Sequence, residues 1–105
     1  MSERLRLQVH NATRAKQLLE NELLKEAFSA LRDGLRNTWE HATALEIRED
    51  AYWQIRGLGI LERNLKKLVT EGELAERELA RHAEEAAQAQ RMADAAERRR
   101  AFNVS

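Results

Sequence analysis

The stretch Glu46–Gly72, EIREDAYWQIRGLGILERNLKKLVTEG, decides the fold. Its repeat positions fall at Ala51, Ile55, Leu58, Leu61 or Glu62, Leu65, Leu68 and Val69, all apolar apart from Glu62. This spacing is close to the roughly 3.5-residue repeat of packed helices and puts them along one stripe. Tyr52, Trp53 and Ile60 widen the stripe. Gly57 and Gly59 lie inside the same period, where each costs about 1 kcal/mol relative to alanine. Either the helix is locally distorted there, or a neighbour packs tightly against the bare backbone.

Upstream, Leu24, Ala27, Phe28, Leu31, Leu35 and Trp39 form a second helical stripe, with Lys25, Arg32, Asp33 and Arg36 on the wet side. His41–Leu45 is the candidate turn between the two helices. Thr43 is placed to cap the later helix, and Glu46 stands at the capping-box position three residues on. A short turn between two amphipathic helices predicts an antiparallel hairpin, Thr13–Ala42 against Thr43–Val69. Asn11 or Thr13 is the candidate start of the first helix, whose first apolar residues are Ala15, Leu18 and Leu19. Asn21 is a second possible start, with a bend. Before that, Leu5, Leu7 and Val9 alternate with Arg4, Arg6, Gln8 and His10, a period of two that reads as a short strand or an extended arm.

Past Gly72 the apolar content thins to Leu74, Leu79 and a series of alanines, including Ala83, Ala86, Ala87 and Ala93. Alanine favours helix but buries little area. Glu73 with Arg77 and Asp94 with Arg98 have the spacing of i,i+4 ion pairs, and Arg98, Arg99 and Arg100 suit the negative end of a helix dipole. The expected organisation is an N-terminal arm over 1–12 (strand or coil), a helical hairpin core over 13–72, and a C-terminal helical extension and tail over 73–105. The expected fold class is all-α, an antiparallel helical hairpin with a long, alanine-rich C-terminal helical extension, expected to assemble into an oligomeric helical bundle. The self-association stripe is Leu24, Phe28, Leu31, Leu35, Ile55, Leu58, Leu61, Leu65 and Leu68, and Arg98, Arg99, Arg100 and Phe102 form a C-terminal contact.

Composition agrees with helices. Charged residues make up 34% of the 105-residue chain and aromatics 5%, with no proline. Eighteen basic residues balance eighteen acidic ones, so the overall field that gathers a protein onto nucleic acid or an anionic membrane is missing. Arg4, Arg6, Arg14 and Lys16, and separately Arg98–Arg100, are local basic clusters with no interleaved aromatic residues for base stacking, so nucleic acid is not the favoured partner. No apolar run approaches the roughly 20 residues that cross a bilayer, and the first ten residues lack the apolar centre of a signal peptide. Cysteine is absent, which removes disulfides and thiolate chemistry.

Chemistry-bearing constellations are sparse. His10, His41 and His82 are far apart in sequence, no Glu-x-x-His pair of the di-iron type occurs, and Ser29 has no histidine near it. No catalytic, cofactor-binding or metal-binding residue is expected, and no cofactor. One cluster stands out, the hairpin corner of Trp39, His41, Arg48, Tyr52, Trp53 and Arg56, which gathers three of the five aromatic residues. Rings and guanidinium groups together can hold a planar anionic ligand or a partner protein. The same residues can simply close the end of a bundle, the arginine stems covering the rings.

The order Leu18-Leu19-Glu20-Asn21, Ala27-Phe28, Trp39, Arg48-Glu49, Trp53, Leu61, Leu65, Val69 and Gly72 resembles small α-helical proteins of unassigned function encoded by tailed bacteriophages, over roughly residues 15–80. Where related chains place proline after the asparagine, this chain has Glu22. The resemblance implies a phage origin, with a virion, assembly or packaging-accessory role acting through helix–helix contacts. The alternative it suggests is a small counter-defence protein that sequesters a nucleotide-like ligand or a host protein at the Trp39–Arg56 corner. The partners implied are further copies of the chain and other phage structural proteins, in the host cytoplasm or on the virion.

Overall fold

The computed structural model describes residues 2–104, and Met1 and Ser105 lie outside the described residues. Three helices follow in order: α1 (Ser2–Glu20), α2 (Glu22–His41) and α3 (Leu45–Val104). The molecule is all-α and elongated, with extents of 93 × 24 × 17 Å. α3 runs the full length, since 60 residues at about 1.5 Å each span about 90 Å. α1 and α2 lie end to end and antiparallel along its first two thirds.

One residue separates α1 from α2. Asn21 is extended (φ −70°, ψ 117°), and its side chain accepts a hydrogen bond from the Leu24 amide at 2.9 Å. An asparagine in this conformation satisfies one of the open amides of the new helix, so α2 starts without proline. Glu22 adds an acidic group at the positive end of the dipole. α2 ends where the Ala42 amide bonds the Thr38 carbonyl at 2.9 Å. α3 begins after Ala44, whose carbonyl accepts from the Arg48 amide at 3.2 Å. Among the described residues the Thr43 side chain makes no capping hydrogen bond, so the expected capping box is replaced by a plain backbone start.

The strand or coil expected for 1–12 is instead the first half of α1. Leu5, Ala12, Ala15 and Leu19 recur at helical spacing and face α3, and the apparent period of two arises because Leu7 sits on the outside, 57% exposed. α1 lies closer on α3 than α2 does. The cause is side-chain size: Ala12 of α1 meets Gly72 of α3, with Ala15 and Ala75 buried in the same seam, whereas α2 presents the larger Leu24 and Phe28, which line a cleft with Leu65. Leu5, Ala15, Ala51 and Ala75 are the buried apolar residues, and α2 contributes none.

Gly72 sits at the tightest point. A Cβ there would land on the Ala12 methyl group and come within 3.1 Å of the Gln8 carbonyl oxygen. Gly72 is therefore inside the packed hairpin, and the core expected to stop at 72 continues to Ala75 and Leu79 under α1. From Ala80 to Ala93 every residue is exposed, so the true extension starts about two turns later than composition suggests. Gly57 and Gly59 neither distort α3 nor meet a neighbour: nothing within 4 Å would touch a Cβ at either, or at Gly34.

Among the ion pairs of the described residues, the expected i,i+4 pairs Glu73–Arg77 and Asp94–Arg98 do not occur. Arg81 lies 3.7 Å from Glu78 and 3.8 Å from Glu85, Arg91 reaches Glu84 at 3.2 Å, and Asp94 accepts from Gln90 at 3.0 Å. Among the described residues no helix is long and apolar enough to cross a membrane.

Replacing Gly72 by alanine should destabilise the chain by about 1–3 kcal/mol in urea unfolding, although alanine is the better helix former, because α1 must move away from α3. Adding Ala12→Gly should restore much of the loss. Equal stability of Gly72→Ala and wild type would show that the close approach is not needed.

Candidate functional site

The corner residues do gather at the closed end of the hairpin, but in two groups. On one side the Arg48 guanidinium stands 5.8 Å from the Trp39 ring centroid, and its Nε donates to the Trp39 carbonyl oxygen at 3.1 Å. Trp39, Leu45, Arg48, Glu49 and Tyr52 line a shallow recess of about 200 Å³. On the outer side Arg56 stands 5.8 Å from the Trp53 ring centroid and donates to the Tyr52 hydroxyl at 3.4 Å. Tyr52 links the two groups, its ring meeting Trp53 edge-on at 5.4 Å and 70°. Trp53 is 63% exposed against 41% for Trp39, because it follows Tyr52 by about 100° around the helix and points away from α2. His41 belongs to neither group; its Nδ1 donates to the Asn37 carbonyl oxygen at 2.9 Å.

This arrangement can hold a flat, partly anionic group against Trp39 and Arg48. Each guanidinium is already engaged with a ring, which orients it and leaves further donors for a ligand.

Arg32 and Glu62 join the helices by an ion pair with each side chain 29% exposed. Helical periodicity alone misses it, because pairing across a hairpin depends on register. Beside it, near the bend at Asn21, a cleft of about 220 Å³ is lined by Leu19, Leu24 and Phe28, with Lys25, Arg32 and Lys66 on its rim. The bend makes this gap: α2 swings away just where its large side chains begin.

The self-association stripe divides in the structure. Leu24, Phe28, Leu35, Ile55, Leu58 and Leu65 are half-buried between α2 and α3, while Leu31, Leu61 and Leu68 remain exposed. Leu23, 75% exposed, joins the outward set and was not singled out by periodicity. Arg98, Arg99, Arg100 and Phe102 are all exposed near the far end of α3. Glu78 and His82 approach to 3.8 Å, and among the described residues no three His, Asp or Glu side chains cluster to share a metal ion.

The chain matches no protein-family model, no curated protein and no solved structure.

Arg32→Ala and Glu62→Ala should each lower stability by about 1–2 kcal/mol, since each leaves a partly covered charge without its partner. The exchanged pair Arg32→Glu with Glu62→Arg should recover most of it in a double-mutant cycle of chemical denaturation. A coupling energy near zero would remove this pair from the determinants of register.

Proposed function

We propose that the protein is a non-enzymatic, self-associating helical component of tailed-phage type, with a virion, assembly or packaging-accessory role exerted through helix–helix contacts. The observation that carries this reading is the incomplete core. A two-helix layer leaves Leu31, Ile60, Leu61 and Leu68 about half in water, an arrangement that favours a further layer of helices. The extension from Ala80 onward supplies a second means of contact: a helix of alanines and charges that a neighbour can approach closely, carrying Arg98, Arg99, Arg100 and Phe102 near its end. Other structural proteins of the same particle are the partners this reading names, and the host cytoplasm or the virion is its location. Its phage element rests on the sequence resemblance alone.

In sedimentation experiments at micromolar concentration the full chain should associate, and a chain ending at His82 should keep its helical hairpin while forming smaller assemblies. A helical monomer at every concentration would overturn the reading.

A second reading is favoured by the Trp39–Arg48–Tyr52 recess. In it the protein is a small counter-defence factor that sequesters a nucleotide-like ligand or a host protein at the corner from Trp39 to Arg56. Stacking on Trp39 and charge from Arg48 would supply the recognition. Titration with cyclic nucleotides and dinucleotides should then quench tryptophan emission and raise the melting temperature, with both effects lost in Arg48→Ala. Unchanged emission and melting would dismiss the small-ligand form.

A further inference from the structure

Along its middle the hairpin has one charged side and one uncharged side, the latter bounded on α3 by Asp50 and Glu71. Arg32 and Glu62 meet on the first, where Lys25 and Lys66 also rim the cleft. Leu31 and Leu61 each precede a member of that pair and so lie about 100° back around their helices. Because α2 and α3 run antiparallel, the same sense of rotation carries both leucines to the opposite side. On α2 that arc holds Ala27, Ala30, Leu31, Gly34, Asn37 and Thr38; on α3 it holds Gln54, Gly57, Leu61, Asn64 and Leu68. No residue in either set is charged, in a chain that is 34% charged. All but Thr38 are exposed.

Two glycines mark the middle of this face. The Arg32–Glu62 pair and the Arg48–Trp39 contact bracket Gly34 and Gly57, which places them at the same level of the hairpin. Nothing in the chain comes within 4 Å of a Cβ at either. Each lowers helix stability by about 1 kcal/mol with no packing partner inside the chain, and together they leave a notch where another backbone could come close.

We infer that this uncharged face is covered by the same face of a second copy, related by a two-fold axis, to give a four-helix bundle with the Gly34–Gly57 notch at its closest approach. The occupant follows from charge and area. A face without a charge of either sign meets its own copy without repulsion or unpaired charge. The arc spans about 18 Å along two helices each about 10 Å across, roughly 360 Å² in projection, and Leu18 prolongs it along α1 as far as Arg14. A standard specific interface covers about 800 Å² per partner, so this arc forms its centre and the surrounding polar residues its rim. Self-pairing of one patch is what two-fold symmetry requires.

This inference rests on the self-association proposed above, and one set of variants of the full chain separates the two. Leu31→Lys, Leu61→Lys and Leu68→Lys should each weaken dimerisation at least tenfold in sedimentation equilibrium with far-UV helicity retained, whereas Ser29→Lys on the charged side should leave it unchanged. Gly34→Ala and Gly57→Ala should have opposite effects on two readouts, raising the melting temperature of the dilute chain while weakening dimerisation. Because the chain has no cysteine, Asn64→Cys and Arg63→Cys report proximity independently: a short bis-maleimide should link copies through the first and not the second. Association that persists in the lysine variants, or that tightens with alanine at the glycines, would overturn this face while leaving self-association standing. A monomer at all concentrations would overturn both.

Discussion

Two helices lying side by side share one seam, and a side chain in that seam is covered from one direction only. Small residues can disappear into it and large ones cannot. At the α1 end, glycine and alanine let the backbones close up, so Ala15 and Ala75 are buried. At the α2 end, leucine and phenylalanine keep the helices apart and stay half in water, and a cleft opens beside the bend. The close seam over Gly72 and the wider one over Leu65 belong to separate helices, α1 and α2. Asn21 supplies the change of direction and caps the helix that follows it.

Much of this was legible in the residues, and the exceptions have physical causes. α3 announces itself through a long repeat of large apolar side chains. α1 is hidden because its helical signal is carried by Ala12 and Ala15, which have little apolar weight, while Leu5, Leu7 and Val9 imitate a strand over a few residues. Gly72 looks like a boundary because composition changes there, yet it is a glycine because Ala12 occupies the space a side chain would need. At the corner, proximity to the turn correctly brought Trp39, Arg48 and Tyr52 together. It did not show that Trp53 and Arg56 turn outward, which depends on their position around the helix. The Arg32–Glu62 pair required knowledge of register, which periodicity in one helix at a time does not contain.

The split between a charged and an uncharged side changes how the apolar residues are understood. A leucine stripe reads as one surface in a sequence, but the hairpin separates it into a seam and a flank. The seam holds this chain together. The flank is only half covered by this chain, and leucines on an uncharged stretch of surface are exposed where solubility would favour lysine or glutamate. Selection for the folded hairpin alone gives no reason for that pattern, nor for glycines opposite one another in two helices that would be more stable with alanine.

α3 is uninterrupted from the corner to beyond the arginines near its far end. An α-helix advances by a fixed rise and turns by a fixed angle at each residue, so the chain acts as a ruler between Arg48 and Arg98, about 75 Å apart along the axis. Whatever grips the two ends is held at a distance and an azimuth counted in residues. An insertion of seven residues in the alanine-rich stretch would lengthen the ruler by about 10 Å and nearly preserve its phase, whereas an insertion of two would barely change the length and swing the far end to the opposite side.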